Sequence, residues 1–202
     1  MPVGTIHPTA ILDAPFRHYQ GGTEPDDFIY NAGSIGKNVH IGAGSVIGRG
    51  VAIGDSVVID HHCIVEPNAS IDQNCLLIYR AIVGCDAVIG RDCVIGGFIA
   101  ERCVIEANCR VFGQIVHQQA DTTKSWDELD EPEPSAVVKE RSFIGFGAII
   151  AGGITIGPSA YVCAGTLLTR NVPEKHIAFG TNSIIPVNQW RGKLAQNPIF
   201  HQ

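Results

Sequence analysis

The chain has 202 residues, a mass of 21.6 kDa and a formal net charge of −6. Apolar residues make up 45% and charged residues 17%, which excludes a disordered chain. The 14 Lys and Arg are scattered, so no basic patch points to nucleic acid, and the 23 glycines lack the every-third spacing of collagen. Seven cysteines, an odd number with no C-x-x-C pair, and no signal peptide at Met1-Pro2-Val3-Gly4 predict reduced thiols and a cytoplasmic protein.

In chain order, Ile6 and Leu12 predict a starting coil. Asp13 to Ser34 holds Pro15, Gly21, Gly22 and Pro25 and reads as an excursion from it. A period then dominates. Ile35, Ile41, Ile47, Ile53, Ile59, Val65, Ile71, Leu77, Val83, Ile89 and Ile95 place an aliphatic every six residues, eleven times. Four places after each stands a small or apolar residue, such as Val39, Ser45, Cys63, Ala69 or Cys93. The register shifts by two, resumes at Ile99, Ile105 and Val111, and puts His117 in the next slot. Residues 118–136 interrupt the pattern and read as a long lid loop. The period returns at Val138, Ile144, Ile150, Ile156, Val162 and Leu168. Residues 182–202, with Pro186, Trp190 and Pro198, read as a tail able to cap the open end.

Ser142 to Thr169, 28 residues without Asp, Glu, Lys, Arg or His, is long enough to span a bilayer. Its glycines, Pro158 and fixed period argue against a membrane span. Such a hexad supplies one short strand and one turn, and three hexads close one triangular coil. The prediction is an all-β, parallel β-helix over residues 1–181, stabilised by the stacking of coils because no single coil buries its own apolar face. Cys63, Cys75, Cys93, Cys103 and Cys109 then fill the small inward slot as core residues. Cys85 and Cys163 fall on the turn side, where native reactivity is expected.

The repeat resembles that of the bacterial hexapeptide-repeat acyltransferase superfamily over roughly residues 35–181. Two segments carry the likeness further. Ile144-Gly145-Phe146-Gly147-Ala148-Ile149-Ile150 through Gly153-Ile154-Thr155-Ile156-Gly157 is similar to the coil after the lid loop of sugar and xenobiotic acetyltransferases. Ala164-Gly165-Thr166-Leu167-Leu168-Thr169-Arg170-Asn171-Val172-Pro173 resembles their final coil. The resemblance implies a left-handed β-helix, a homotrimer with sites between subunits, and acyl transfer, most often acetyl, from coenzyme A to a hydroxyl or amine. The acceptor it implies is a sugar, amino sugar or nucleotide-linked sugar.

In those relatives a His just before the lid loop acts as base, and His117 stands there. Imidazole titrates near neutral pH, which suits removal of the acceptor's proton during attack on a thioester. The bland alternative is a structural His at a loop start. The loop is acidic: Asp121, Asp127, Glu128, Asp130, Glu131 and Glu133 face only Lys124. It reads as a solvated lid, or as a source of a carboxylate that orients His117 or attracts a cationic acceptor. Trp126 could close over the donor or pack on a neighbour. The resemblance places acetyl-CoA, as donor substrate, along the last coils. Gly147, Ala164, Gly165 and Thr169 would flank pantetheine, and Arg170 and Lys175 would stand near the phosphates. No metal is expected. Two rival classes remain: a γ-type carbonic anhydrase, for which His40, His61 and His62 sit poorly spaced, and a non-catalytic β-helical assembly subunit.

Overall fold

The computed structural model describes residues 4–14, 31–118, 121–124 and 133–201. The six-residue period becomes a three-sided parallel β-helix. Strands of mostly two residues alternate among three sheets of seven, nine and eight strands, and as far as Leu168 each sheet gathers every third strand of the chain. The first face starts at Ser34–Ile35, the second at His40–Ile41, and the third at Ile11–Ala14 followed by Val46–Gly48. One coil advances 18 residues, as Ser34 pairing Ala52 and Ile53 pairing Ile71 show. The architecture is the one the repeat predicts.

The second residue of each two-residue strand points inward. Ile59, Leu77, Ile89, Ile105, Ile144, Ile156 and Leu168 are at most 1% exposed. Full burial of an aliphatic side chain stabilises by roughly 1.5–3 kcal/mol, so the inward column holds the coils together. The small slot is equally dry: Val57, Cys63, Ala69, Ala87, Cys93 and Ala160 are at 0%. The five inward cysteines are buried as expected. Cys85 departs from expectation. It is turn-side yet only 4% exposed, because Glu66 of the preceding coil folds over it. Cys163 is half-buried.

Corners between faces need a left-handed residue to turn the chain. Asn38, Asn68, Asn74 and Asn108 supply it with φ between 56° and 63°. Asn tolerates this region because its short side chain bonds locally.

The corner between the second and third faces breaks the rule in two successive coils. Ile95 to Ile99 and Val111 to Ile115 are four residues apart, not six, so Ile82–Phe98 and Phe98–Gln114 pair across 16 residues. Both short turns use glycine, and the reason is close approach: a Cβ on Gly96 would lie 2.8 Å from the Phe112 ring and 2.9 Å from that of Tyr79. The second of these short corners corrects the reading of His117. Ile115, at 0% exposed, fills the inward slot and pairs Ile99, while His117 lies two residues further on, half-buried.

The tail from residue 182 begins as sheet. Ser183–Pro186 pairs antiparallel with His176–Phe179 and forms the outer strand of the second face. The chain then doubles back over that face until Phe200, 4% exposed, packs 6.4 Å from Tyr161 between ring centroids. No helix among the described residues is long and apolar enough to cross a membrane.

Candidate active site

His117 stands on the corner between the third and first faces, where the lid loop leaves the helix. Its seat is Gly152. A Cβ there would lie 2.8 Å from His117 Cα and 2.5 Å from the Gln118 nitrogen, and would also strike the Pro134 carbonyl. The outgoing and returning ends of the loop therefore share one glycine floor. Ser135 closes the return by donating its hydroxyl to the Glu101 carbonyl, and the Cys103 thiol donates to the Ala136 carbonyl at 3.2 Å. Strand register puts Glu101 beside His117, since Ile99 pairs Ile115 two residues earlier in each coil.

Of the acidic loop, Asp121 and Glu133 are described. The Asp121 carboxylate accepts the Thr123 hydroxyl at 2.6 Å and the Thr123 N–H at 2.9 Å, which holds it below the usual carboxylate range. Glu133 is buried at 9%. Trp126, Asp127, Glu128, Asp130 and Glu131 lie outside the described residues.

The residues expected to hold the donor fall on three different corners. Gly147, Ala164 and Gly165 stand on the corner between the second and third faces. Gly147 and Gly165 have φ of 67° and 69°, and a Cβ on either would meet nothing within 4 Å. The left-handed angle accounts for the glycines; the open space leaves bare backbone that an amide chain such as pantetheine fits. Thr169 and Arg170 stand on the His117 corner. Both are engaged by Asn182, whose side chain bonds the Thr169 N–H and hydroxyl at 2.9 Å while its carbonyl accepts from Arg170. Lys175 turns the remaining corner, between first and second faces, with φ of 52°, and the single chain does not bring it near the others.

Of the three histidines weighed as metal ligands, His40 sits on a strand and His61 and His62 on a turn. His61 Nδ1 accepts the Ala43 N–H at 2.9 Å, His40 Nδ1 bonds the Thr5 hydroxyl at 2.8 Å, and His62 holds a left-handed turn. Among the described residues no group of three or more His, Cys, Asp or Glu is placed to hold a metal.

The third face connects the two corners of interest. Its outward residues Ile64, Phe98, Ile149 and Leu167 are 37–42% exposed, and Val46 and Ile82 complete an apolar ladder broken by Gln114. Sequence reading missed one cluster at its edge, the aromatic rings of Tyr79, Phe112 and Phe146. The signal was present as the two four-residue spacings at Gly96-Gly97 and Gly113.

A family model described as the hexapeptide repeat of succinyl-transferase matches residues 34–61 and 137–170. The galactoside O-acetyltransferase of Lactococcus lactis subsp. lactis (strain IL1403) is 33% identical over 48 residues, which cover 24% of this chain and 23% of that protein. Among solved structures, UDP-N-acetylglucosamine acyltransferase from Campylobacter jejuni aligns at 14% identity, covering 95% of this chain and 81% of that one, with a TM-score of 0.49. AntD, an N-acyltransferase from Bacillus cereus in complex with dTDP and 3-hydroxybutyryl-CoA, aligns at 17% identity, covering 79% and 84%, with a TM-score of 0.44.

Proposed function

We propose that the chain is a CoA-dependent acyltransferase, most simply an acetyltransferase, that works as a homotrimer on a sugar, amino sugar or nucleotide-linked sugar. One observation carries this reading. His117 and the open backbone at Gly147 and Gly165, with exposed Ala164 beside Gly165, line opposite edges of one exposed apolar face. Three copies packed on that face would bury it, since an apolar ladder of this length on one side of a protein needs cover. Three-fold packing sets the His117 corner of one subunit against the glycine corner of the next.

In that cleft His117 acts as general base. It takes the proton of the acceptor hydroxyl or amine as the new bond forms to the thioester carbonyl, and the CoA thiolate leaves. No covalent enzyme intermediate is required. A backbone N–H of the glycine corner would steady the oxyanion. Arg170, on the His117 corner, is the cation for the donor phosphates; Lys175, on the far corner, contributes to that role only if the neighbouring copy brings it round. The seven free thiols suit a reducing cytoplasm.

The experiment is a thiol-release screen with acetyl-CoA against amino sugars, nucleotide sugars and simple sugars. Turnover with one class, lost in His117→Ala while CoA still binds, supports the reading. Absence of thiol release with every class sinks it. Zinc retained by the wild type and lost from His117→Ala would instead favour a carbonic anhydrase.

A further inference from the structure

The two short corners leave a recess on the edge between second and third faces, two coils deep. Full-length corners bound it, carrying Tyr79 on one side and Phe146 on the other. These corners are three coils apart, about 14 Å along the axis at sheet spacing. Yet the Tyr79 and Phe146 ring centroids lie 5.6 Å apart, so both rings lean over the recess. Phe112, from within it, stacks on Phe146 at 4.7 Å and 11°. Tyr79 meets Phe112 and Phe146 at 58° and makes a side wall. Both outer rings remain wet, Tyr79 at 63% and Phe146 at 54% exposed. Apolar rings left in water beside a recess mark a binding surface more often than a core.

Backbone strain sits at the same place. Tyr79 and Arg80 both hold left-handed angles, φ 58° and 60°, where most other corners use one such residue and favour Asn or Gly. A Tyr in this region is uncommon. Arg80 is exposed, and none of the ion pairs among the described residues includes it. One coil earlier, strand register places His61 beside Tyr79 and His62 beside Arg80. A flat stack, a side wall and an exposed Arg together match a planar ring that carries a phosphate.

We propose that the Tyr79–Phe112–Phe146 shelf, with Arg80, binds a nucleotide: the base continues the Phe112–Phe146 stack and the phosphate meets Arg80. Two ligands of an acyltransferase contain that chemistry, a nucleotide-linked acceptor and the adenosine diphosphate of CoA. Arg80 lies on the N-terminal side of the His117 coil, whereas Gly147, Ala164 and Gly165 lie on the C-terminal side. Its Phe146 end adjoins Gly147 of the donor corner, so it is the Arg80 end that assigns the bound phosphate to the acceptor's nucleotide. Only this last assignment rests on the acyltransferase reading; the nucleotide site does not.

The test is equilibrium binding, without chemistry, of UDP, dTDP and GDP and separately of adenosine 3′,5′-diphosphate. It uses the full chain, Tyr79→Asn and Arg80→Asn. Asn holds the left-handed corner elsewhere in this helix, so both variants keep the turn. Loss of the ring should weaken a nucleoside diphosphate roughly tenfold, as removal of a stacking aromatic does. Loss of Arg80 should weaken it similarly and reduce its salt dependence. No binding by the wild type, or equal binding by all three proteins, overturns the proposal. If only adenosine 3′,5′-diphosphate responds, the shelf belongs to the donor and the acceptor assignment falls. A variant that sediments as a smaller species would make the shelf a contact between copies, which also overturns it. Thiol release is read in parallel. Nucleotide binding without acyl transfer defeats the catalytic reading alone; transfer to simple sugars without nucleotide binding defeats this inference alone.

Discussion

Cys85 and Glu66 meet across adjacent coils. The Cys85 N–H donates to Glu66 Oε2 at 3.1 Å, and the thiol stands 3.5 Å from the same oxygen. A carboxylate over a buried turn closes what the period leaves open. It also explains why a turn-side cysteine is dry. Burial and the charges of Glu66 and Glu101 push the Cys85 thiol far above its ordinary range.

Native labelling with a thiol reagent should therefore spare Cys85 along with the five inward cysteines. Burial also raises Cys163, but that residue is half-buried, so it is reached first. Mass spectrometry after timed labelling should show one modified thiol before unfolding and seven after it. Rapid native modification of Cys85 would show that the Glu66 cover is open in solution.

Glu66 makes the pH dependence specific. Burial raises its carboxyl above the ordinary 4.5, hydrogen bonds from Cys85 oppose this, and Glu101 adds to it. Below the ordinary value the proton is held in folded and unfolded states alike, and the stabilisation from a neutral Glu66 is fully present. As pH climbs through the raised folded value, that stabilisation is lost. Glu66→Gln keeps an oxygen for the Cys85 N–H and never ionises. It should be more stable than wild type at about pH 7, with the difference vanishing by about pH 4. Urea unfolding at the two pH values checks this; a gap that widens on acidification would reverse the assigned sign.

The exposed third face predicts assembly. The wild type should sediment at about three times 21.6 kDa. Ile149 is 42% exposed on the next-to-last strand of the ladder, so Ile149→Asp places a charge in any contact there without touching the core. A buried unpaired carboxylate costs several kcal/mol, enough to dissociate the assembly at micromolar concentration. A trimer that survives this change packs on another face.

The period made nearly all of the fold legible, because each inward aliphatic repeats the same physical requirement. Ile59, Leu77 and Ile144 needed only counting. The short corners were harder. The first, at Gly96-Gly97, announced itself as a shift of two. The second was hidden, because Ile115 stands only two residues before a His that kept the count of six. Trp126 and the central loop carboxylates belong to no period, and sequence gives their types without their places. The shelf was overlooked for another reason. Tyr79 and Phe146 each stand two residues after an inward aliphatic, Leu77 and Ile144, but on corners three coils apart, and they meet each other and Phe112 only because two coils are shortened between them.

The hidden corner gives the sharpest mutational contrast, between residues two apart. Ile115 fills the inward slot at 0% exposed, so Ile115→Ala leaves a cavity between coils. It should cost about 2–5 kcal/mol of stability, visible as a lower unfolding midpoint. Turnover per folded trimer should hold, because the strand pairing with Ile99 and Ile150 fixes the backbone that leads to His117. His117 is half-buried at a loop foot above Gly152, so His117→Ala removes little core. Its midpoint should stay near wild type. Acyl transfer should fall roughly 10²- to 10⁴-fold, the usual share of a positioned general base. The KM for acetyl-CoA should change little, since the proposed donor contacts are elsewhere. Thermal unfolding and steady-state kinetics on the two variants separate the roles. If His117→Ala loses stability as Ile115→Ala does while transfer persists, His117 is a packing residue and the base is another group.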